Sequence, residues 1–421
     1  MRFLYIALAY LLAPIVCMVM LWRGLRDRSY WLNFSQRFGY GSHLRNDFTI
    51  WVHAVSVGEV QASLALVGAL RERYPGAAFV VTTLTPTGAA RARVLFGESV
   101  QVRYVPYDLP ASVRRFLARV RPRIAIILET ELWPNLYHEC GRRGIPLVLA
   151  SARISPRSVG RYRRLAGLFR ETLARGIVIG AQSEADAERF RSIGAPAERT
   201  HVTGNIKFDF ALPPDVVPLG AQLRRLHAAG RPVWIAGSTH PLEEDAVLVA
   251  QRSVRARIPN ALLVLVPRHT NRFAEVAAWL EKQGVSFTRR SSGVACGAAS
   301  EVLLVDTLGE LIVFYAASDV AFVGGSLVPV GGHNLLEPAA LGLPILSGPY
   351  TFNAQDIATL LVERGAAQIV PDGAALGARV AALLSDATER ARCGALARET
   401  VAANRGALGR LLTLIAPLLA Q

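Results

Sequence analysis

Short apolar runs alternate with amphipathic helical stretches along most of this 421-residue chain, and the alternation constrains the fold more than any other feature. The apolar runs have the length of strands, and they lack the polar residue at every second position that marks a half-exposed sheet. Strands that are apolar on both faces are buried on both faces, as in a parallel sheet that helices cover. The sequence therefore predicts an α/β fold with parallel sheets.

The predicted elements form two similar halves. Strands of the first half are predicted at 50–54, 78–84, 100–105, 124–128, 147–150 and 177–181, with helices such as 59–73, 111–119 and 184–193. Strands of the second half are predicted at 233–236, 262–266, 302–305, 320–323 and 345–346, with helices such as 271–283 and 310–317. Segment 210–231, rich in proline, is predicted to be a linker with the domain boundary near residue 215. Two such halves indicate a cleft, and ligands of these sheets bind at the carboxyl ends of the strands.

The first residues of the chain predict an uncleaved membrane anchor. Residues 3–22 carry no charged side chain and are long enough to cross a bilayer core of roughly 30 Å. Arg23, Arg26 and Arg28 follow at once, so the positive-inside rule places the C-terminal side in the cytoplasm. A cleaved signal peptide is the alternative, but no small-x-small cleavage site precedes the arginines. The apolar tail 408–419 is too short to cross a membrane and is predicted to pack on the protein.

The composition indicates a folded, basic protein. Hydrophobic residues make up 52% of the chain and charged residues 19%, which excludes a disordered chain. The formal net charge is +15, and arginine supplies nearly all of the positive charge because lysine occurs only at positions 207 and 282. Such a surface favours acidic phospholipid or a phosphorylated lipid. Nucleic acid is not expected as a partner, since RNA-binding aromatic motifs and zinc-type cysteine spacings are missing from the sequence. The four cysteines lack metal or redox spacing, which favours a reducing compartment.

A glycine-rich loop in the second half is the most informative local motif. The predicted strand 320–323 is followed by Gly324-Gly325, and the run 330–338 then reads Val-Gly-Gly-His-Asn-Leu-Leu-Glu-Pro. A strand, a glycine loop and a helix start predict free backbone N–H groups that suit a phosphate. His333, Asn334 and Glu337 are spaced to share one helical face, where the carboxylate could accept hydrogen bonds from sugar hydroxyls. The loop therefore indicates a nucleotide-sugar pocket, and the alternative is a plain strand-to-helix turn.

Two other strand ends in the second half point to the same ligand. Pro267-Arg268-His269 ends the strand 262–266, and a forked guanidinium at that edge fits phosphate. The run 237–240, Gly-Ser-Thr-His, ends the strand 233–236 in the same way. Because parallel strands end at one edge, we expect these side chains and the glycine loop to converge on one anion.

Acidic and hydroxyl side chains follow strands of the first half. In Ser56-Val57-Gly58-Glu59, Gly58 permits a tight turn, and Glu59 is either a helix-start charge or a general base facing the cleft. Glu129 and Glu131 would point to one face of an extended chain, where repulsion raises one pKa. Pro134 is expected to open a helix, and Thr85 is either an N-cap or part of the cleft.

Lys207 lies in the run 204–209, Gly-Asn-Ile-Lys-Phe-Asp, just before the predicted linker. A lysine in an arginine-rich chain indicates a need for a compact charge, or it is a chance survivor.

Taken together, these runs resemble the 3-deoxy-D-manno-octulosonic acid (Kdo) transferases of lipopolysaccharide assembly. The matching runs occur in order behind the anchor, at 53–59, 129–135, 204–209, 267–269 and 324–338. The resemblance implies a GT-B glycosyltransferase in which two Rossmann-like domains face a cleft. Residues 1–24 would form the anchor, 25–215 the acceptor-binding domain and 216–421 the CMP-sugar donor-binding domain.

The resemblance also implies the reaction and its residues. Kdo would pass from CMP-Kdo to the tetraacylated lipid A precursor (lipid IVA), with inversion, on the cytoplasmic side of the inner membrane and beside its acidic phospholipid. No metal and no cofactor are expected, since CMP-Kdo is a substrate. Glu59 would be the general base. The acceptor side and centre would contain Ser56, Gly58, Thr85, Glu131 and Lys207. The donor would be bound by Ser238, Pro267, Arg268, His269, Gly325, Ser326, Gly331, Gly332, His333, Asn334 and Glu337.

Two other functions fit part of this pattern. A nucleotide-sugar epimerase would share the fold but would not need the N-terminal anchor. A non-catalytic, membrane-bound lipopolysaccharide assembly factor would keep the anchor but would not need Glu59.

Overall fold

The computed structural model describes residues 1–44, 46–173 and 176–420. Within them the chain forms two compact units, Met1–Phe210 with Asn404–Gln421, and Ala211–Ala403. Each unit contains a seven-stranded sheet in which every pair of neighbouring strands is parallel, as the apolar runs predict. The predicted α/β class is therefore confirmed.

The first unit has the strand order β3-β2-β1-β4-β5-β6-β7. Its strands are β1 Thr49–His53, β2 Ala78–Thr83, β3 Gln101–Tyr104, β4 Pro122–Leu128, β5 Leu147–Ala152, β6 Ile177–Ala181 and β7 Thr200–Val202. Its helices are α1 Arg2–Arg26, α2 Val57–Arg73, α3 Pro86–Phe96, α4 Pro110–Val120, α5 Pro134–Arg142, α6 Pro156–Arg164, α7 Ala166–Leu173 and α8 Glu184–Ser192. The strand order reverses between β1 and β4, and doubly wound sheets bind their ligands at this switch point.

The second unit has the order β10-β11-β9-β8-β12-β13-β14. Its strands are β8 Val233–Thr239, β9 Leu262–Pro267, β10 Phe287–Arg289, β11 Val302–Leu304, β12 Val320–Val323, β13 Ile345–Ser347 and β14 Ala367–Ile369. Its helices are α9 Val216–His227, α10 Glu243–Arg257, α11 Phe273–Lys282, α12 Leu311–Ala316, α13 Leu336–Leu341, α14 Gln355–Glu363, α15 Gly373–Ser385 and α16 Ala387–Ala403. Here the order reverses between β8 and β12.

Helices cover both faces of each sheet, so neighbouring residues of one strand enter different apolar layers. In β1, Ile50 and Val52 pack in one layer with Leu66 of α2, whereas Trp51 packs in the other with Phe116 of α4. All these side chains are buried. The continuous apolar runs arise from this two-sided burial.

The C-terminal helix α17, Ala407–Leu419, packs on the protein as predicted, but it belongs to the first unit. Leu411 and Ile415 join the apolar layer of β1. Asp209 accepts hydrogen bonds from the backbone N–H groups of Gly406 and Leu408, at 2.6 and 2.5 Å. The structure thus differs from the predicted domain 216–421, because the chain returns to the first sheet after Ala403.

The segment predicted as a linker, 210–231, contains the helix α9. Arg224 of α9 donates to the carboxylate of Asp319 at 2.8 Å and to the carbonyl of Ala317 at 3.0 Å. The prolines of this segment therefore do not prevent a helix. Pro218 lies in the first turn of α9, where backbone N–H groups have no intrahelical acceptor, so proline costs no hydrogen bond there. The units divide after Phe210 rather than near residue 215.

Candidate functional site

Glu59 lies at the switch point of the first sheet, in the first turn of α2. Ser56 is the N-cap residue, and its hydroxyl oxygen accepts from the N–H of Glu59 at 3.3 Å. The Glu59 carboxylate in turn accepts from the Ser56 hydroxyl at 3.0 Å and from the N–H of Val55 at 2.8 Å. The Ser-x-x-Glu spacing therefore forms a capping-box arrangement that fixes the carboxylate beside the end of β1.

The surroundings of Glu59 favour its neutral form. Burial raises the pKa of Glu59 to about 7, the negative charge of Glu129 adds to this rise, and the hydrogen bonds from Val55 and Ser56 oppose it. A carboxyl group with a pKa near neutral is a competent proton acceptor at physiological pH. The helix-start role is thus present in the structure, and the same placement is compatible with the role of a base.

Glu129 and Lys207 form an ion pair beside Glu59. Glu129 follows β4 directly, with a φ of 57° in the left-handed region, and its carboxylate lies 2.6 Å from the ammonium group of Lys207. Both side chains are mostly buried, at 20% and 22% exposure. A shallow hollow is lined by Glu59, Ala62, Leu128, Glu129, Ser151, Asn205, Ile206 and Lys207. Lys207, which was predicted to lie at the centre, therefore pairs with Glu129 in the hollow that Glu59 also lines.

The backbone between the two acids differs from the predicted extended conformation. The left-handed residue Glu129 starts a turn, so Glu129 and Glu131 do not point to one face of a strand. The carboxylate of Glu131 accepts from the indole N–H of Trp133 at 2.5 Å. The pKa of Glu131 is raised, as predicted for one of the two acids, but burial is the larger cause and the charge of Glu129 the smaller.

Two further predicted residues of the first unit have helix-start positions. Thr85 caps α3 by accepting from the N–H of Gly88 at 3.1 Å, so its N-cap role is present. Gly58 lies within α2, and its φ is outside the left-handed region. The predicted tight turn at Gly58 is therefore wrong, because helical backbone follows the cap at once. The predicted helix start at Pro134 is confirmed by α5.

In the second unit, a buried carboxylate occupies the glycine turn after β12. Glu243, the first residue of α10, accepts from the N–H groups of Gly325 at 2.7 Å, Ser326 at 3.0 Å and Leu327 at 2.9 Å. It also accepts from the N–H of His240 at 3.2 Å. The prediction that these N–H groups are free for a phosphate is therefore wrong, because a glutamate from another strand end is their acceptor.

The second glycine pair is also committed to internal hydrogen bonds. The N–H groups of Gly331 and Gly332 both donate to the carbonyl of Gly325, at 3.0 and 2.7 Å. The hydroxyl of Ser326, which is fully buried, donates to the carbonyl of Val323 at 2.6 Å and accepts from the N–H of Gly348 at 2.8 Å. The predicted donor residues Gly325, Ser326, Gly331 and Gly332 thus build the loop rather than offer free polar groups.

Three histidines meet where β8, β9 and the glycine loop end. The Nε2 atoms of His240 and His333 are 2.8 Å apart, and the two rings stack with centroids 5.0 Å apart. His269 packs edge-on against His240 at 5.3 Å. Burial is the main cause that lowers the pKa of His333 to about 3, and it also lowers those of His240 and His269; the nearby charge of Arg268 acts in the same direction. Since one imidazole donates and the other accepts, the accepting ring of the His240–His333 contact is neutral.

The remaining donor-side residues lie around these histidines. Arg268 is exposed, and Pro267 is the buried last residue of β9. Ser238 is buried near the end of β8, with a φ of 59°. The predicted convergence of the strand ends is thus present in the second unit.

His333, Asn334 and Glu337 do not share a helical face, because α13 begins only at Leu336. The side chain of Asn334 links the loop to the helix: its Oδ1 accepts from the N–H of Leu336, and its Nδ2 donates to Glu337, both at 3.0 Å. Burial raises the pKa of Glu337, and the Asn334 hydrogen bond and the charge of Arg268 oppose the rise. Glu337 is therefore held near Arg268 by the loop.

Sequence reasoning missed Glu243, whose position at the helix start after β8 is the signal that could have found it. It placed Glu129 and His240 at strand ends but did not name them among the expected site residues. Across the described ranges, His, Cys, Asp and Glu side chains form no group of three with a geometry for metal binding.

Comparison with known proteins adds an independent line of evidence. Residues 32–210 match the family model described as 3-Deoxy-D-manno-octulosonic-acid transferase (kdotransferase). A 3-deoxy-D-manno-octulosonic acid transferase of Haemophilus influenzae is 40% identical over 421 residues, which cover 99% of each chain. One of Bordetella pertussis is 40% identical over 419 residues, which cover 95% of each chain.

Among solved structures, Anabaena Alr3699/HepE in complex with UDP-glucose has a TM-score of 0.51 at 16% identity, covering 89% of this chain and 100% of that one. At this identity the likeness concerns the fold alone. The predicted two-domain GT-B type of fold is confirmed.

Proposed function

Because this chain belongs to the 3-deoxy-D-manno-octulosonic acid transferase family and is therefore a glycosyltransferase, we propose that it transfers Kdo from CMP-Kdo to the tetraacylated lipid A precursor, lipid IVA. The observation that carries the proposal is Glu59, a carboxyl group at a sheet switch point whose pKa is raised to about 7. A glycosyl transfer to a hydroxyl needs a proton acceptor of this kind. The transfer belongs to lipopolysaccharide core assembly.

In the proposed reaction Glu59 removes the proton of a glucosamine 6′-hydroxyl of the acceptor. The hydroxyl oxygen forms a bond to the anomeric carbon of Kdo, and the bond from this carbon to the phosphate oxygen breaks. CMP leaves with the electron pair of that bond, and Glu59 ends protonated. Attack and departure on opposite faces of one carbon invert its configuration. The ionised base is restored when the proton passes to solvent or to the departed phosphate.

On the first unit, the ion pair of Glu129 and Lys207 would support the base. Their 2.6 Å contact keeps a negative charge beside Glu59 and a positive charge in the same hollow. The negative charge raises the pKa of Glu59. Glu131, held by Trp133, would line the acceptor side together with Ser56, Gly58 and Thr85.

On the second unit, Arg268 would stabilise the negative charge that develops on the phosphate of CMP as the bond to Kdo breaks. A guanidinium can donate two parallel hydrogen bonds to phosphate oxygens. Neutral His240, His269 and His333 offer N–H donors at the same strand ends, and Glu337 could accept from hydroxyl groups of the donor. This assignment replaces the predicted cradle of glycine N–H groups, because the N–H of Gly325 donates to Glu243 and those of Gly331 and Gly332 donate to the carbonyl of Gly325. We propose a reaction that uses no metal and no cofactor.

Residues Arg2–Arg26 form one helix that is long and apolar enough to cross a membrane. We propose that α1 anchors the chain in the inner membrane, with both folded units on the cytoplasmic side. The helix α6 carries Arg157, Arg161, Arg163 and Arg164, which would rest on acidic phospholipid, at about 1 kcal/mol for each charge near the surface.

If α1 crosses the inner membrane as proposed, the start of α1 is accessible only from the outer side of that membrane. The hydroxyl of Tyr5 donates to Asp108 at 2.8 Å, a contact that a crossing helix must release. We expect Phe3→Cys, in a Cys17→Ala background, to react with a membrane-impermeant maleimide in cells whose outer membrane alone is permeabilised. The matched variant Leu25→Cys, at the other end of α1, should react only after lysis. Protection of position 3 until lysis would mean that α1 lies along the first unit instead.

The proposed function itself predicts a defined product. Purified full-length protein in detergent, incubated with CMP-Kdo and lipid IVA, should release CMP and increase the mass of the lipid by one Kdo or a multiple of it. Mass spectrometry of the lipid measures both the transfer and the number of residues added. A changed sugar nucleotide with an unchanged lipid would indicate an epimerase, and two unchanged substrates would favour a non-catalytic assembly factor.

A further inference from the structure

Glu243 is a fully buried carboxylate that takes the place of a bound anion. Its side chain is 0% exposed, and its two oxygen atoms accept from the N–H groups of Gly325, Ser326, Leu327 and His240. Three of these donors are consecutive residues of one turn, an arrangement that proteins otherwise use to hold phosphate. Among the described residues, Lys and Arg side chains form no salt bridge with Glu243, so backbone N–H groups are its partners.

The turn that Glu243 holds is connected to the residues of the donor side. The carbonyl of Gly325 accepts from the N–H groups of both Gly331 and Gly332, which fixes the second glycine pair against the first. Gly325 also lies close to the imidazole of His333, because a Cβ atom built on Gly325 would lie 2.9 Å from the ring. Gly325 has a φ of 68°, so the loop follows a path that other residues rarely adopt. Two hydrogen-bonding steps thus join Glu243 to His333.

The backbone leading to Glu243 contributes to the same arrangement. Ser238, near the end of β8, and Leu242, directly before α10, both have left-handed φ values, 59° and 71°. Such conformations cost free energy and persist where the surrounding structure enforces them. Here they bring the carboxylate of Glu243 under the turn and the ring of His240 onto His333.

We infer that Glu243 is a positioning residue for the donor. Its carboxylate fixes the turn 325–327 by accepting hydrogen bonds from the backbone of that turn. The fixed turn in turn holds His333 and the loop around it in the geometry that binds the nucleotide. The inference rests on the proposed donor site of the second unit. It adds that the N–H groups of the turn serve the protein's own carboxylate and not the phosphate of the ligand. Glu243 acts through the loop and touches no substrate.

The test compares Glu243→Gln with Glu244→Gln in the full-length protein. Glutamine keeps the size of the side chain but replaces one accepting oxygen by an amide that cannot accept. Glu244 is the next residue of α10 and is also buried, but its carboxylate is bound to Arg272 at 2.6 Å and to Thr239 at 3.0 Å. Both variants remove one buried charge from the first turn of α10. Only Glu243→Gln removes a carboxylate that accepts hydrogen bonds from the loop.

Two measurements separate a positioning role from a merely structural one. Hydrogen exchange followed by mass spectrometry reports the amides of 325–327, which we expect to exchange at least tenfold faster in Glu243→Gln and unchanged in Glu244→Gln. Calorimetric titration with CMP should show a dissociation constant at least tenfold higher in Glu243→Gln and within threefold of wild type in Glu244→Gln. The KM for CMP-Kdo should rise in parallel, and the KM for the lipid acceptor should not.

The outcomes are distinguishable. Unchanged exchange together with unchanged CMP affinity in Glu243→Gln would overturn the inference. Tighter CMP binding would also overturn it, because the carboxylate would then compete with the phosphate for the N–H groups. Wild-type protein that binds no CMP would instead overturn the proposed donor site. If Glu243→Gln does not fold, Glu243→Asp, which keeps the charge but shortens its reach, gives the same two readouts.

Discussion

Glu59→Gln is expected to reduce the turnover number for transfer by about 10²- to 10⁴-fold, the contribution of a general base. Glutamine cannot take the proton of the attacking hydroxyl. CMP affinity should stay nearly unchanged, because the proposed CMP contacts lie in the second unit. Steady-state rates at saturating donor and acceptor, together with CMP titration, measure both quantities.

The substitution is well suited to the test because it preserves the local fold. A glutamine at the third position of a helix still completes the capping box with Ser56. The pKa of Glu59 is raised by folding, from its ordinary value of 4.5 to about 7, so its ionisation at pH 8 opposes folding. Removal of this charge should therefore leave the melting temperature at pH 8 unchanged or higher.

Asp186→Asn is the matched control within the same unit. Asp186 is the third residue after Ser183 in α8, and the two side chains form the same reciprocal cap, with Ser183 donating to Asp186 at 2.6 Å. Its helix follows β6, away from the switch point. The control should lose stability, because Asp186 also forms an ion pair with Arg189 at 2.9 Å, but it should keep transfer within about threefold. Transfer that persists in Glu59→Gln would remove Glu59 from the mechanism.

The central strands could be predicted from the sequence because strands that are buried on both faces consist of continuous apolar runs. The predicted strands at 177–181 and 320–323 match β6 and β12 residue for residue. The strands that the sequence did not reveal, β7, β10 and β14, are three-residue edge strands, and each carries half-exposed or exposed residues. An edge strand has only one neighbour and needs no apolar run.

The position of Glu59 was also predictable, since it depends on residues adjacent in the sequence: a strand, Ser56, and a carboxylate three residues later. The role of Glu243 was not predictable, because its bonds to the turn 325–327 join residues more than 80 positions apart. A glycine turn looks the same in sequence whether its N–H groups face a ligand or a buried side chain. The pairing of Glu129 with Lys207, 78 positions apart, was hidden for the same reason.

The pH dependence of transfer gives the second large effect. If Glu59 must be ionised, kcat/KM should be constant at high pH and fall tenfold per unit below the pKa of about 7, which amounts to about 100-fold at pH 5. His333, with a pKa lowered to about 3, does not change charge in this range. The residual activity of Glu59→Gln should lack the acid limb, and initial rates from pH 5 to 9 under subsaturating donor measure it.

Two substitutions in the ion pair of Glu129 and Lys207 should shift the acid limb of the pH dependence of transfer in opposite directions. A general loss of stability would not do so. Glu129→Gln removes the neighbouring negative charge that raises the pKa of Glu59 and leaves Lys207 unpaired, so the limb should move to lower pH. Lys207→Met leaves the Glu129 carboxylate uncompensated in the same hollow, so the limb should move to higher pH and activity at pH 7 should fall. Limbs that stay in place in both variants would show that Glu59 does not set the pH dependence, and that another group controls the proton transfer.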